Sequence, residues 1–174
     1  MLRSNKAIAI SGCLLHQSLM AANCATEPAA IKGVIEWTFK NKIGMIPWSC
    51  PETLAIGLPR ETKGIERYRK TNLIEVCDSI AINFSKYLEI QINGGIDIIG
   101  IVGVSFSPAC SARRQAYHSN EQGLFIQALI KRIEHLNIPI IDIHRKKFTE
   151  DIKASLEILI KKEPVTTKAT TGPV

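Results

Sequence analysis

Five cysteines, Cys13, Cys24, Cys50, Cys77 and Cys110, offer the most chemistry in this 174-residue chain. Their number is odd and their spacing gives no disulfide framework, which leaves reduced thiols or metal ligands. Three of them share a context: Cys13 follows AIAISG, Cys50 follows IGMIPWS and Cys110 follows DIIGIVGVSFSPA, so each stands just past a short aliphatic run. Thiolates suit zinc and iron–sulfur clusters, and a metal held by three protein ligands keeps a position open for a reacting group. The separations of 37 and 60 positions match neither a zinc ribbon nor a ferredoxin run, whose cysteines are closely spaced. The residues alone therefore leave a three-thiol metal centre and scattered structural thiols both open.

Other polar residues stand close to these cysteines. Glu52 lies two positions past Cys50 and Ser107 three before Cys110, where a carboxylate and a hydroxyl can carry and orient a proton. Their plain alternatives are a loop carboxylate capping backbone amides and a turn-forming hydroxyl before Pro108. His16 and Gln17 follow Cys13 in a strand-to-helix turn and can hydrogen-bond a substrate, or serve only as surface and capping groups. Arg60 and Tyr68 can close a crevice as parts of a lid, or make a loop salt bridge. Arg113 and Arg114 suit either an anionic substrate or solvated charge. Cys24 reads as an extra ligand or a core thiol, and Cys77 as core filler. His118, His135 and His144 lack ligand spacing and read as surface residues.

These residues need elements to place them. Short aliphatic runs alternate with segments of helical period, the pattern of strands joined by crossover helices. Strands are expected at 7–11, 43–47, 97–104 and 138–144, and the β-branched run DIIGIVGV has the composition of a central strand buried on both faces. Helices are expected over 27–42, with Pro28 in the first turn and Ile31, Val34, Ile35 and Phe39 on one face; from Asn72 to the Asn93-Gly94-Gly95 stop; over 120–137, with Asn120 as cap; and over 149–162, opened by Thr149. The stretch 51–70, rich in Pro and Gly, reads as a long functional loop. The expected fold is a three-layer α/β domain, Rossmann-like and doubly wound, with a mostly parallel sheet and helices on both faces. In such a sheet the carboxyl ends of the strands share one edge, where ligands bind, and all three cysteines would meet there.

Composition sets bounds on this reading. The chain is long enough for one domain with a real core, assigned to 1–162, while the Pro- and Thr-rich segment 163–174 is expected to be disordered. Few aromatics, 6%, and abundant isoleucine predict an aliphatic core. No apolar run is long enough to span a bilayer, and polar Ser11, His16 and Gln17 interrupt the N-terminal apolar stretch, so a cytoplasmic protein without a membrane partner is expected. The net charge of +6 raises nucleic acid as a partner, but Arg113-Arg114, HRKK at 144–147 and the lysine pair at 161–162 are scattered and favour a solvated basic face. No strand ends in a glycine-rich phosphate loop, which disfavours a nucleotide-binding protein without metal.

The segments SGCLLHQS, SCPETLAIGLPRE and SFSPAC, in this order and each at an expected strand end, resemble the three signature segments of the thiouracil desulfidase family and its related desulfidases. The likeness spans roughly residues 7–145. It implies a cytosolic enzyme whose four-iron four-sulfur cluster is held by Cys13, Cys50 and Cys110, with Glu52 and Ser107 as the acid and the serine that move protons while water oxygen replaces the sulfur of a small thiolated compound. This chain departs from the family pattern around the last cysteine, where Ala109, Cys110 and Ser111 follow Pro108, and in the long continuation LLHQSLMAANC of the first segment. The second departure points to the related branch rather than to the thiouracil enzymes themselves. A non-catalytic iron–sulfur or zinc module that stores or senses is the alternative.

Overall fold

A computed structural model describes residues 3–113 and 120–161. Arg114, His118 and the tail 163–174 lie outside these residues. The sheet has four parallel strands, β1 (Lys6–Ser11), β2 (Gly44–Trp48), β3 (Asp97–Val104) and β4 (Ile140–Ile143), in the order β2-β1-β3-β4. Between them run α1 (Gly12–Leu15), α2 (Lys32–Asn41), α3 (Pro51–Ile56), α4 (Ile65–Tyr68), α5 (Leu73–Asn93) and α6 (Leu124–Ile133), and α7 (Thr149–Glu157) follows β4.

Right-handed crossovers turn this strand order into three layers. The step from β1 to β2 runs one way along the sheet and the steps from β2 to β3 and β3 to β4 run the other, which puts α2 on one face and α5 and α6 on the opposite face. Packing agrees, since α5 lies against α6, and α2 against α7. The direction of winding reverses between β1 and β3, the point at which open α/β sheets form their ligand crevice. Both of these central strands are buried almost throughout, and Ile8, Ile10, Ile101 and Val102 are fully so. Each such side chain contributes ~1.5–3 kcal/mol relative to exposure.

The register brings the strand ends level. Ser11 pairs with Trp48 across β1 and β2, and Val104 with Ile143 across β3 and β4. The next residues of all four strands therefore emerge on one edge.

Several local expectations change. The helix over 27–42 begins only at Lys32, because the preceding segment bonds elsewhere: Gln17 N donates to Ala29 O at 2.7 Å and Ile31 N to Leu14 O at 2.8 Å. Its buried face is Val34, Trp37 and Thr38, whereas Phe39 is 88% exposed and Ile35 is exposed as well. The face turns because α7 approaches over Gly33, where a Cβ would stand 2.9 Å from Thr149 O, and Trp37 Nε1 donates to Glu157 of α7 at 2.9 Å. The stretch 51–70 contains α3 and α4 rather than loop alone. Gly123, not Asn120, is the cap residue of α6, and Phe148, not Thr149, that of α7. The core is mostly aliphatic, with Trp37 and Tyr68 buried in it and an aromatic group in which Trp48 packs on Phe84 and Phe125 with ring centroids 5.7 and 5.0 Å away. Among the described residues no helix is long and apolar enough to cross a membrane.

Candidate functional site

The shared edge opens into a cavity of about 410 Å³ lined by Cys13, Cys50 and Cys110 together with Glu52, Arg60, Tyr68 and Ser107. Three thiols separated by 37 and 60 positions in sequence thus meet on one surface. All three are buried.

Each thiol is set by a close-packed turn. β1 passes directly into α1, and Gly12 makes this possible because a Cβ there would stand 2.6 Å from Trp48 O. Cys13 sits in this first turn, its sulfur 3.3 Å from Ser11 Oγ in a hydrogen bond. Cys50 caps α3, with Pro51 at the first helical position. Cys110 ends the turn after β3, and its carbonyl takes the Val104 amide at 3.0 Å. That turn lies so close to β3 that a Cβ on Gly103 would be 2.3 Å from Cys110 O and 2.7 Å from Asp142 Oδ1. Asp142, in β4, holds the same turn from the far side by accepting the amides of Ala112 at 2.7 Å and Arg113 at 3.0 Å and the Ser111 hydroxyl at 3.2 Å.

Every sulfur of the trio has a hydrogen-bond partner. Ser11 serves Cys13, Arg60 Nη2 donates to Cys50 at 3.6 Å and Trp48 Nε1 donates to Cys110 at 3.4 Å. Burial pushes the Cys13 thiol up to about 12, with Cys50 and Glu52 adding to the rise against the Ser11 hydrogen bond. Burial likewise holds Cys110 well above the ordinary thiol range, with Cys13 and Cys50 adding, so the three sulfurs lie within electrostatic reach of one another.

Glu52 is the polar centre of the site. Its carboxylate accepts from Ser107 Oγ at 3.2 Å, Tyr68 OH at 3.0 Å and Arg60 Nε at 3.4 Å. The Glu52 and Arg60 side chains are 11% and 5% exposed, which makes theirs a buried ion pair whose geometry is fixed on both sides. Burial alone would lower the Arg60 guanidinium, but Glu52, Cys50 and Tyr68 outweigh it and its affinity for the proton is raised. Tyr68 is raised by burial and then by the Glu52 charge, which keeps it a neutral donor. Arg60 also donates to Thr53 Oγ1 at 2.9 Å, so one guanidinium ties α3, the Glu52 carboxylate and the Cys50 sulfur together.

The remaining site candidates fall differently. His16 is exposed and Gln17 is buried, and neither is among the cavity's lining residues. Gln17 instead braces the α1 turn, donating from Nε2 to Cys13 O at 2.7 Å and accepting the Thr26 amide at 3.0 Å. Cys24 does line the cavity, while Cys77 is buried in α5. His144, expected on the surface, lines the cavity as well, as does Phe106. His144 directly follows the run IPIIDI, so the strand-end rule that picks out the cysteines applies to it too. Trp48 and Asp142, which hold the Cys110 turn, carry no comparable signal.

The cluster implied by the family resemblance can be tested against this donor set. Among the described residues no group of three or more His, Cys, Asp and Glu side chains is arranged to hold a single metal ion. A four-iron cluster places its thiolates on separate irons and asks for a wider set of donors. Three buried thiols on one cavity, each with its own hydrogen-bond partner and none in a disulfide, have the donor chemistry that such a cluster takes.

Lys63, Arg145 and Lys146 also line the cavity, without an ion pair among the described residues. These three unpaired cations give that part of the lining a positive charge.

No family model matches the chain, and no solved structure matches it. It is similar to a curated protein of Methanocaldococcus jannaschii named uncharacterized protein MJ0003, with 26% identity over 152 residues that cover 87% of this chain and 93% of that protein.

Proposed function

We propose that this protein is a cytosolic desulfidase that replaces the sulfur of a small thiolated compound, such as a thiouracil-like thioamide, with oxygen from water, using a four-iron four-sulfur cluster on Cys13, Cys50 and Cys110. The observation that carries this reading is the meeting of the three strand-end thiols with the hydrogen-bonded pair Ser107–Glu52 on one cavity. When bound, the cluster supplies a Lewis-acidic iron with a free coordination position for the sulfur.

The protein's own residues account for the protons. The exchange converts a thiocarbonyl and water into a carbonyl and hydrogen sulfide, so a carbon–sulfur bond breaks, a carbon–oxygen bond forms and no electrons are gained or lost overall. Glu52 accepts a proton from the attacking water and passes it to the departing sulfur, and the second water proton takes the same route as the carbonyl forms, so that the sulfur leaves as hydrogen sulfide. Ser107 orients the Glu52 carboxylate from one oxygen, while Arg60 and Tyr68 fix the other. Trp48, packed on Phe84 and Phe125, holds its indole N–H against the Cys110 sulfur from the apolar side. The lining cations Lys63, Arg145 and Lys146 favour the approach of a sulfur ligand in its anionic form.

Anaerobic reconstitution with iron and sulfide counting, followed by measurement of sulfide released from 4-thiouracil and other thioamides, tests the reading. Four irons and four sulfides per chain and sulfide release are expected. A protein that takes up no iron, or that keeps its cluster after Cys50→Ala, overturns it.

A further inference from the structure

The layer formed by α2 and α7 leaves two aromatic rings in solvent. Phe39 is 88% exposed and Phe148 85%, the two most exposed large hydrophobic side chains among the described residues. They stand at opposite ends of one face. The two helices run side by side in the same direction, since Gly33 lies against Thr149 and Ile152 while Trp37, four residues on, donates to Glu157. Phe148 precedes the first turn of α7, whereas Phe39 is six residues past Gly33, ~9 Å farther along the helix axis. A cleft of about 480 Å³ between the helices is lined by Trp37 and Ala154, and Ile35 and Ile158 add to the exposed apolar area beside it. Exposed apolar groups gathered on one face mark a surface for association. Each ring also has a charge next to it. Lys40 follows Phe39 and has no ion pair among the described residues, and Glu150, two positions after Phe148, is 82% exposed and paired only with Lys153. In the lining of the cleft Lys40 and Lys153 stand with Glu36, Glu150 and Glu157, a mixed set on a chain whose net charge is +6. Such a face gives nucleic acid or an anionic membrane no basic surface, but it is complementary to a second copy of itself.

We propose that two copies of this chain associate through the α2–α7 face as a two-fold dimer, with Phe39 of each copy on Phe148 of the other. In an isologous contact residue i meets residue j of the other copy and j meets i. A two-fold axis lying in this face, midway between the two phenylalanines, satisfies both ring contacts at once. The same rotation brings each Lys40 to the other copy's Glu150, because each charge lies within two positions of its ring. Pairing Phe39 with Phe39 instead would set Lys40 against Lys40, which like charge disfavours. This assignment is independent of the desulfidase reading.

Sedimentation velocity of the full-length protein over about 1–100 μM tests the pairing, with the melting temperature as a check on folding. Wild type is expected to pass from monomer to dimer mass. Phe39→Asp changes an exposed side chain, so the variant should melt as wild type does, and it should dimerise about a hundredfold more weakly because each dimer loses two aromatic contacts. Lys40→Glu and Glu150→Lys should each weaken the dimer about tenfold by setting like charges together. An equal mixture of these two variants should recover wild-type affinity to within about threefold, because both contacts between unlike copies are again lysine to glutamate. Lys40 and Glu150 form no ion pair within one chain, so recovery in the mixture has no source inside a single copy. The assignment is overturned by a wild type that stays monomeric throughout, whether or not it floats with phosphatidylglycerol vesicles, and by one that grows beyond a dimer. A Phe39→Asp protein that dimerises like wild type, or a mixture no tighter than its components, overturns it equally.

Discussion

Ser107 Oγ donates to Glu52 Oε1 at 3.2 Å while the same oxygen accepts the amides of Cys110 at 2.9 Å and Ala109 at 3.3 Å. One hydroxyl therefore links the proposed proton carrier to the turn that presents a proposed cluster ligand. Ser107→Ala releases both. A stability loss of ~1–3 kcal/mol is expected from the amides of the buried residues Ala109 and Cys110 that it leaves unpaired, together with a fall in sulfide release of tenfold or more, read in paired denaturation and activity measurements.

Glu52→Gln keeps the shape of the side chain and removes its charge. Arg60 then stands buried without its partner, so the variant should lose ~3 kcal/mol in chemical denaturation. Turnover should drop about 10²–10⁴-fold, the range for loss of a positioned acid–base group. Iron content should remain that of wild type, because Glu52 is not a proposed ligand. A non-catalytic metal module would show the stability loss with no sulfide release to lose.

Trp48→Phe removes one indole N–H from the Cys110 sulfur and leaves an aromatic ring against Phe84 and Phe125. Hydrogen bonds to cluster sulfurs stabilise the reduced, more negative state, so the reconstituted variant should have a lower reduction potential in a dye-mediated titration. Its iron count should not change.

Gly103→Ala probes the scaffold behind the site. The new methyl would stand 2.3 Å from Cys110 O, a distance that forces the whole Cys110 turn outward. About 3 kcal/mol of stability should be lost, a fall of ~6–12 °C in melting temperature for a chain of this size. Iron retention should fall with it, since the turn carries a proposed ligand.

Asp142 gives a pH dependence with a definite sign. Burial raises its carboxyl above the ordinary value of 3.8, against the amides of Ala112 and Arg113 and the Ser111 hydroxyl. The folded chain therefore binds this proton more tightly than the unfolded one, and the resulting stability is fully present below the unfolded value and lost as pH rises through the folded one. Asp142→Asn removes that titration. The melting temperature of wild type minus that of Asp142→Asn should decrease as pH rises from about 4 to about 7.

Much of this site can be read from the chain because period and position suffice for it. The β-branched run 97–104 and the apolar stripe from Leu73 to Asn93 specify a strand and a helix directly, and the three cysteines follow strand ends whose level register brings them to one cavity. The α2 start is harder to read, because Ala29 and Ile31 spend their backbone groups on Gln17 and Leu14, contacts that no local pattern encodes. Phe39 fits a helical stripe but faces solvent, since the approach of α7 over Gly33 decides which side of α2 is covered. The link from Tyr68 to Glu52 depends on α4 folding back across a stretch whose prolines and glycines suggest loop. Gln17 looks like a substrate group by position and proves to be bonded wholly to backbone, a fact that only the tertiary arrangement reveals.

Cys50, Cys13 and Cys110 hang from β2, β1 and β3, three consecutive neighbours in the sheet. Parallel strands repeat every ~4.8 Å, so the outer two attachment points start ~10 Å apart before any side chain reaches inward. The sheet would act in this way as a ruler for the proposed cluster: the spacing suits an object several atoms wide better than a lone ion, and a change in the size of what the thiols hold would have to begin in the backbone spacing rather than in the choice of residues.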